Sequence, residues 1–240
     1  MTKLLVSVRN LEEARIVAES EVAILDVKEP DQGALGAATP ATLHAIAQKL
    51  GGTTKLSFAA GELRDLMTFG SSLKTQNPDD DLSERFDYCK IGLAGMNRFP
   101  DWVDLWSSAW EQLPKTKERV AVGYADHSLC DAPAIQQIIE AAPKSNCKFF
   151  LLDTFNKVNR KNVLDWIAPN QLGELVRQCH AANLKVVVAG SVTESLLKSI
   201  WVTKPDFIGI RGAVCDDNRN NAISKTKLNR FVNSMATFKN

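Results

Sequence analysis

KLLVSVRNLEEARIVAESEVAILDVKEP, residues 3–30, sets the pattern from which the rest of the chain is read. Lys3–Val8 is a short run of aliphatic and β-branched residues. Leu11–Glu19 carries apolar residues at helical spacing, and Val22–Asp26 is again short, apolar and β-rich. Strand, helix and strand joined by connections this short read as one parallel βαβ unit.

The same alternation continues to the end of the chain. Strands are expected at Lys55–Ala59, Tyr88–Ile91, Arg119–Gly123, Phe149–Asp153, Lys185–Ala189 and Phe207–Ile210. Helical patterns cover Ala41–Leu50, Asp101–Leu113, Ala134–Ala141, Asn170–Ala182 and Thr193–Trp201, with a last helix over Lys225–Ala236. Strict strand–helix alternation predicts a parallel sheet, and eight strands are enough to close it. The expected architecture is therefore α/β, a single parallel (β/α)8 TIM barrel spanning residues 1–240. A doubly wound open sheet is the alternative, but no GxGxxG follows the first strand. Gly70–Glu84, GSSLKTQNPDDDLSE, is polar and turn-rich and reads as a loop between the third helix and the fourth strand.

At 240 residues the chain has the length of one such barrel, and 45% hydrophobic with 24% charged residues is ordinary for a globular domain. A net charge of +1 gives no broad basic field, so nucleic acid is not an expected partner. The N-terminal apolar run is too short for a signal-peptide core, and no stretch approaches a membrane span. A soluble cytoplasmic protein, assembled as a homo-oligomer and free of membrane, is expected. Cys89, Cys130, Cys147, Cys179 and Cys215 are scattered without CxxC spacing, which argues for reduced thiols. Three dispersed histidines make no metal triad, and neither metal nor cofactor is expected. Trp102, Trp106 and Trp110 recur at helical spacing and read as a packed or interface stripe.

Active sites of these barrels lie at the C-terminal ends of the strands. Strand two ends ILDVKEP, with Asp26 and Lys28 two apart and hence on one face. Strand four carries Lys90, and strand six ends at Asp153 with Lys157 four residues beyond. Side chains of one barrel layer come from alternate strands, so these even strands can bring carboxylates and lysines together at one mouth. Each residue alone is as well explained by a salt bridge capping the core; their convergence points to function. Clustered lysines serve nucleophilic catalysis, because neighbouring ammonium groups and desolvation lower an amine pKa from about 10.4. Lys90 and Lys157 are expected to hold Lys28 partly neutral. The loops after strands seven and eight, AGS with Gly190 and Ser191 and RGA with Arg211 and Gly212, fit the usual phosphate position of a barrel. A plain helix-capping turn is the simpler account of AGS. Asp126 and His127, after strand five, are weaker site candidates.

The motifs LDVKEPDQGALGA (25–37), KIGL (90–93), VGYAD (122–126), LLDT (151–154) with Lys157, AGS (189–191) and RGAVC (211–215) together resemble the (5-formylfuran-3-yl)methyl phosphate synthases, also called 4-(hydroxymethyl)-2-furancarboxaldehyde-phosphate synthases. The resemblance runs from strand one to the loop after strand eight. It implies a TIM barrel that condenses two molecules of glyceraldehyde 3-phosphate into a phosphorylated furan aldehyde, with loss of one phosphate and two waters, for methanofuran-type cofactors. It further implies that Lys28 forms the Schiff base and that Asp26, Lys90, Asp153 and Lys157 are the other catalytic positions. The chain departs from the family pattern at Gly61-Glu62, where Gly-Asp and a proline-rich turn are usual. It departs again at Lys157-Val158-Asn159, in place of Lys-Asp-Gly, and around 70–84. Two other readings compete: a Schiff-base aldolase of the deoxyribose-phosphate type, and a non-catalytic barrel that only binds a sugar phosphate.

Overall fold

The computed structural model describes residues 1–70, 82, 84–159 and 161–238. Eight strands alternate with eight helices. The strands are β1 (Lys3–Val8), β2 (Ile24–Val27), β3 (Leu56–Glu62), β4 (Tyr88–Gly92), β5 (Glu118–Tyr124), β6 (Cys147–Asp153), β7 (Lys185–Val188) and β8 (Phe207–Ile210). The helices are α1 (Leu11–Ala18), α2 (Pro40–Leu50), α3 (Leu63–Phe69), α4 (Trp102–Trp110), α5 (Ile135–Ala141), α6 (Pro169–Ala181), α7 (Leu197–Trp201) and α8 (Lys225–Ala236). All strand pairs are parallel, and β1 pairs with both β2 and β8, so the sheet closes into a barrel.

Local chemistry sets several boundaries. Asn10 accepts a hydrogen bond from the Glu13 amide at 2.9 Å and caps the start of α1. Thr39 caps α2, and Pro40 at its first position supplies a helical φ where no N–H is needed. The helix expected over Thr193–Trp201 divides into a 3-10 turn, Glu194–Leu196, and the short α7. The helix expected to run to Leu113 ends at Trp110. Most of the polar loop read at 70–84 (residues 71–81 and 83) lies outside the described residues.

The strands are buried on both faces, which explains why they read as apolar runs rather than as alternating ones. One core lies between barrel and helices. It includes the tryptophans of α4, whose rings follow one another 6.0 Å apart against the barrel wall. The other fills the lumen, where Ile24, Val120, Phe149, Val187 and Phe207 form part of an apolar plug. Tyr88 meets Phe149 edge-on at 4.9 Å. Two residues further along β2, β4 and β6 the lumen turns polar: Ile24 gives way to Asp26, Tyr88 to Lys90, and Leu151 to Asp153. The plug therefore keeps water from below and leaves a charged layer facing the C-terminal mouth.

Candidate active site

The charged layer opens into a cavity of about 200 Å³, lined by Ser7, Asp26, Lys28, Lys90, Asp153, Lys157, Gly190, Ser191, Gly212 and the two arginines Arg211 and Arg219, with apolar neighbours. All five residues expected to do chemistry and all four expected to hold phosphate thus meet at one mouth. Asp126 and His127 do not line it. Asp126 instead accepts the Phe155 and Asn156 amides at 2.7 and 2.9 Å, which fixes the loop carrying Lys157.

Two ion-pair groups organise the layer. In the deeper one Lys90 donates to Asp26 and, at 3.2 Å, to Ser57 Oγ. Ser7 Oγ donates to the other Asp26 oxygen at 2.9 Å. In the upper one, Asp153 lies between two ammonium groups. Lys157 Nζ is 2.6 Å from Oδ1 and Lys28 Nζ is 3.9 Å from Oδ2. Lys157 also donates to Thr154 Oγ1 at 2.9 Å, and Lys28 to the Ala34 carbonyl at 3.1 Å.

Burial decides the protonation of Lys28. The side chain is 7% exposed, and desolvation of the ammonium is the largest influence, bringing the pKa to about 7. Asp153 and Asp26 oppose this, while Lys157 and Arg219 add to it. The expected influence of neighbouring ammonium groups is therefore real but secondary, and it comes from Lys157 rather than Lys90. Lys157 is also lowered, first by burial. Burial by itself would raise both carboxylates. Lys90 and Lys28 hold Asp26 below its ordinary value, and Lys157 and Lys28 do the same for Asp153. The result is an amine partly neutral near pH 7 beside two carboxylates, which is what imine formation and its proton transfers require.

At the phosphate end Gly190 and Ser191 take consecutive positive φ values of 97° and 53°. Gly190 is closely packed: a Cβ there would stand 3.1 Å from Thr154 Cγ2 and from Val163 Cβ, so these side chains would have to give way. Arg211 behaves differently from its expected role as a phosphate ligand. Nε donates to Arg219 O, Nη1 to Ser7 O and Glu13, and Nη2 to Glu13 and Asn221 O. A guanidinium has five N–H donors, and here all are committed to the protein. Glu13, in α1, is 2% exposed, so this is a buried pair that ties the β8 loop to the first βα unit.

Glu62, at the end of β3 and read in the sequence as a departure from the family pattern, is held by the fold. Its carboxyl accepts from the Ala94 amide and from the Tyr124 hydroxyl, and burial raises its pKa. Among the described residues no three His, Cys, Asp or Glu side chains form a metal-ligating group, no helix is long and apolar enough to cross a membrane, and the five cysteines are free and buried.

The family model of 4-HFC-P synthase matches residues 4–232, nearly the whole barrel. The chain belongs to the 4-HFC-P synthase family. Among curated members, (5-formylfuran-3-yl)methyl phosphate synthase of Methanopyrus kandleri is 26% identical over 239 residues, covering 98% of this chain and 99% of that one. The protein of the same name from Methanocaldococcus jannaschii is 29% identical over 228 residues, covering 91% and 92%. A solved structure of phosphoribosylanthranilate isomerase from Thermotoga maritima superimposes with a TM-score of 0.60 at 11% identity, covering 99% of this chain and all of the other; this likeness concerns the fold alone.

Sequence reasoning passed over Ser7, Ser57, Glu13 and Arg219. Ser7 and Ser57 carried a signal, a lone hydroxyl at an inward position of an apolar strand (LLVSV, LSFAA). Glu13 looked like any solvated helix residue, and Arg219 like part of a polar loop.

Proposed function

We propose that this member of the family condenses two molecules of glyceraldehyde 3-phosphate into (5-formylfuran-3-yl)methyl phosphate, as a carbon–oxygen lyase acting through a Schiff base, in the formation of methanofuran-type cofactors. The observation that carries this reading is the Lys28 amine, buried, with a pKa of about 7, against Asp153 and close to Asp26.

Lys28 attacks the carbonyl of one triose phosphate and forms an imine with release of water. The protonated imine draws electrons from the adjacent carbon, and a carboxylate or Lys157 removes its proton to give an enamine. That carbon adds to the aldehyde of the second triose phosphate, and hydrolysis of the imine later restores Lys28. Across the whole reaction one inorganic phosphate and two waters leave, and ring closure ends in an aromatic furan. Asp153 and Lys157 share one proton path, while Lys90 holds Asp26 ionised beneath Lys28. The backbone of Gly190, Ser191 and Gly212 receives a substrate phosphate, and Arg211 supports that loop from behind.

Incubating the purified protein with glyceraldehyde 3-phosphate tests the reading. An ultraviolet-absorbing furan aldehyde is expected. An aliphatic sugar phosphate as product would instead indicate an aldolase, and binding without turnover a passive carrier.

A further inference from the structure

Arg219 lies in the loop between β8 and α8 and lines the cavity mouth. Among the described residues, its side chain makes a single hydrogen bond, from Nη2 to the Gly33 carbonyl at 3.2 Å. The next carbonyl, Ala34, accepts from Lys28. Arg219 and Lys28 are thus set side by side by consecutive peptide groups of the β2 loop. The Arg219 backbone is itself pinned, since its carbonyl receives Arg211 Nε at 2.7 Å.

The charges lining the cavity do not balance. Lys90 is matched by Asp26 and Arg211 by Glu13. Among the described residues that line the cavity, Asp153 alone remains for Lys28, Lys157 and Arg219, with Asp126 and Asp31 acting on the last two from outside it. Even with the Lys28 amine neutral, this end of the cavity is one cation in excess. A guanidinium with most of its donors unengaged, at a cationic mouth and with its backbone carbonyl tied to Arg211, suits a planar two-point contact with phosphate oxygens.

We propose that Arg219 is the side chain that binds the phosphate dianion of an incoming triose phosphate. It takes the role that the RGA sequence seemed to assign to Arg211, while Arg211 and Glu13 hold it in place. This rests on the reading of the cavity as a site for phosphorylated aldehydes.

The test uses two probes that separate the two ideas. Inorganic phosphate is titrated against wild type, Arg219→Ala and Arg219→Lys by calorimetry. Unphosphorylated glyceraldehyde with borohydride reports imine formation at Lys28 without a phosphate contact. Arg219→Ala is expected to weaken phosphate binding roughly 10- to 100-fold, the range of a charge-assisted hydrogen bond, and to raise KM for glyceraldehyde 3-phosphate. Trapping by glyceraldehyde, followed well above the Lys28 pKa so that loss of the Arg219 charge does not hold the amine protonated, should persist, and Arg219→Lys should recover part of the phosphate affinity. Phosphate binding within twofold of wild type in Arg219→Ala, or a wild type that binds no phosphate at tens of millimolar, overturns the proposal. Loss of glyceraldehyde trapping in Arg219→Ala at a pH well above the Lys28 pKa also overturns it, because the residue would then be a support for the β2 loop. A wild type that binds phosphate but is trapped by neither aldehyde defeats the Schiff-base reading alone and leaves the Arg219 comparison to be decided by calorimetry.

Discussion

Lys28 and Lys157 share one carboxylate: their ammonium nitrogens stand 3.9 and 2.6 Å from opposite oxygens of Asp153. The shorter contact and the extra bond to Thr154 keep Lys157 the better stabilised cation, which leaves Lys28 as the amine that sheds its proton first. Borohydride added during turnover should therefore leave a reduced adduct on Lys28, found by peptide mass mapping. Lys28→Arg fixes a permanent cation there and forms no productive imine, so it should be inactive and untrappable. An adduct on Lys90 or Lys157 would move the nucleophile elsewhere.

Asp153→Asn removes the partner of both lysines and the acceptor of their protons. Turnover is expected to fall by about 100- to 10,000-fold, the usual contribution of a general acid–base group. Steady-state kinetics on folded protein, checked by circular dichroism, decide this. Near-normal turnover would mean that the proton path has been misassigned.

The Lys90–Asp26 pair is buried on both sides, so Lys90→Ala leaves an uncompensated carboxylate. Loss of about 3–5 kcal/mol of stability is expected from that change, which makes the single variant a poor probe of chemistry. Lys90→Met combined with Asp26→Asn should recover most of the stability and remain inactive. Urea denaturation of the three proteins checks the first statement and furan formation the second.

Lys28 also makes stability depend on pH. Its folded pKa of about 7 lies below the ordinary lysine value of 10.5, so between these values the unfolded chain binds more protons than the folded one. The wild type should then gain stability relative to Lys28→Met as pH rises from about 7 towards 10, and lose it as pH falls. Imine formation should rise through the same lower limb, near pH 7, as the amine becomes free. Parallel thermal melts of the two proteins that show no convergence with pH would contradict the buried neutral amine.

Gly190→Ala tests the phosphate loop. A Cβ meets Thr154 and Val163 at 3.1 Å in a backbone conformation that L-residues rarely adopt. A cost of about 1–3 kcal/mol is expected, together with a higher KM for the phosphorylated substrate. A melting temperature and KM both equal to wild type would show that the turn tolerates a side chain and does not approach the ligand.

The barrel was legible in the chain because each strand is short, β-rich and followed by a helix with its own cap or periodicity; Lys3–Val8, Phe207–Ile210 and Lys225–Ala236 fall where the pattern puts them. The convergence of Asp26, Lys28, Lys90 and Asp153 was legible too, since strand parity fixes which side chains enter the lumen. What a linear pattern cannot carry is competition for a side chain. Arg211 sits where a phosphate ligand belongs, yet a helix residue 198 positions away claims its guanidinium. Nor does spacing report desolvation, which outweighs the neighbouring ammonium groups in setting the Lys28 amine. Glu62 reads as a departure from a motif, and only the fold reveals the Tyr124 hydroxyl and Ala94 amide that occupy it.

The Glu13–Arg211 bond has a consequence for how the protein is made. Arg211 also grips the Ser7 carbonyl, and Ser7 orients Asp26, so the first and last quarters of the polypeptide meet within the charged layer. During synthesis Lys28 leaves the ribosome long before Arg211 does. Before β8 closes the wall between β7 and β1 the burial that lowers the Lys28 amine is incomplete, so its basicity should lie nearer the ordinary lysine value. Stalled chains ending before residue 207 should resist borohydride labelling at Lys28 under conditions that label the finished enzyme. In this fold the lowered basicity of Lys28 is expected to arrive only with the last strand.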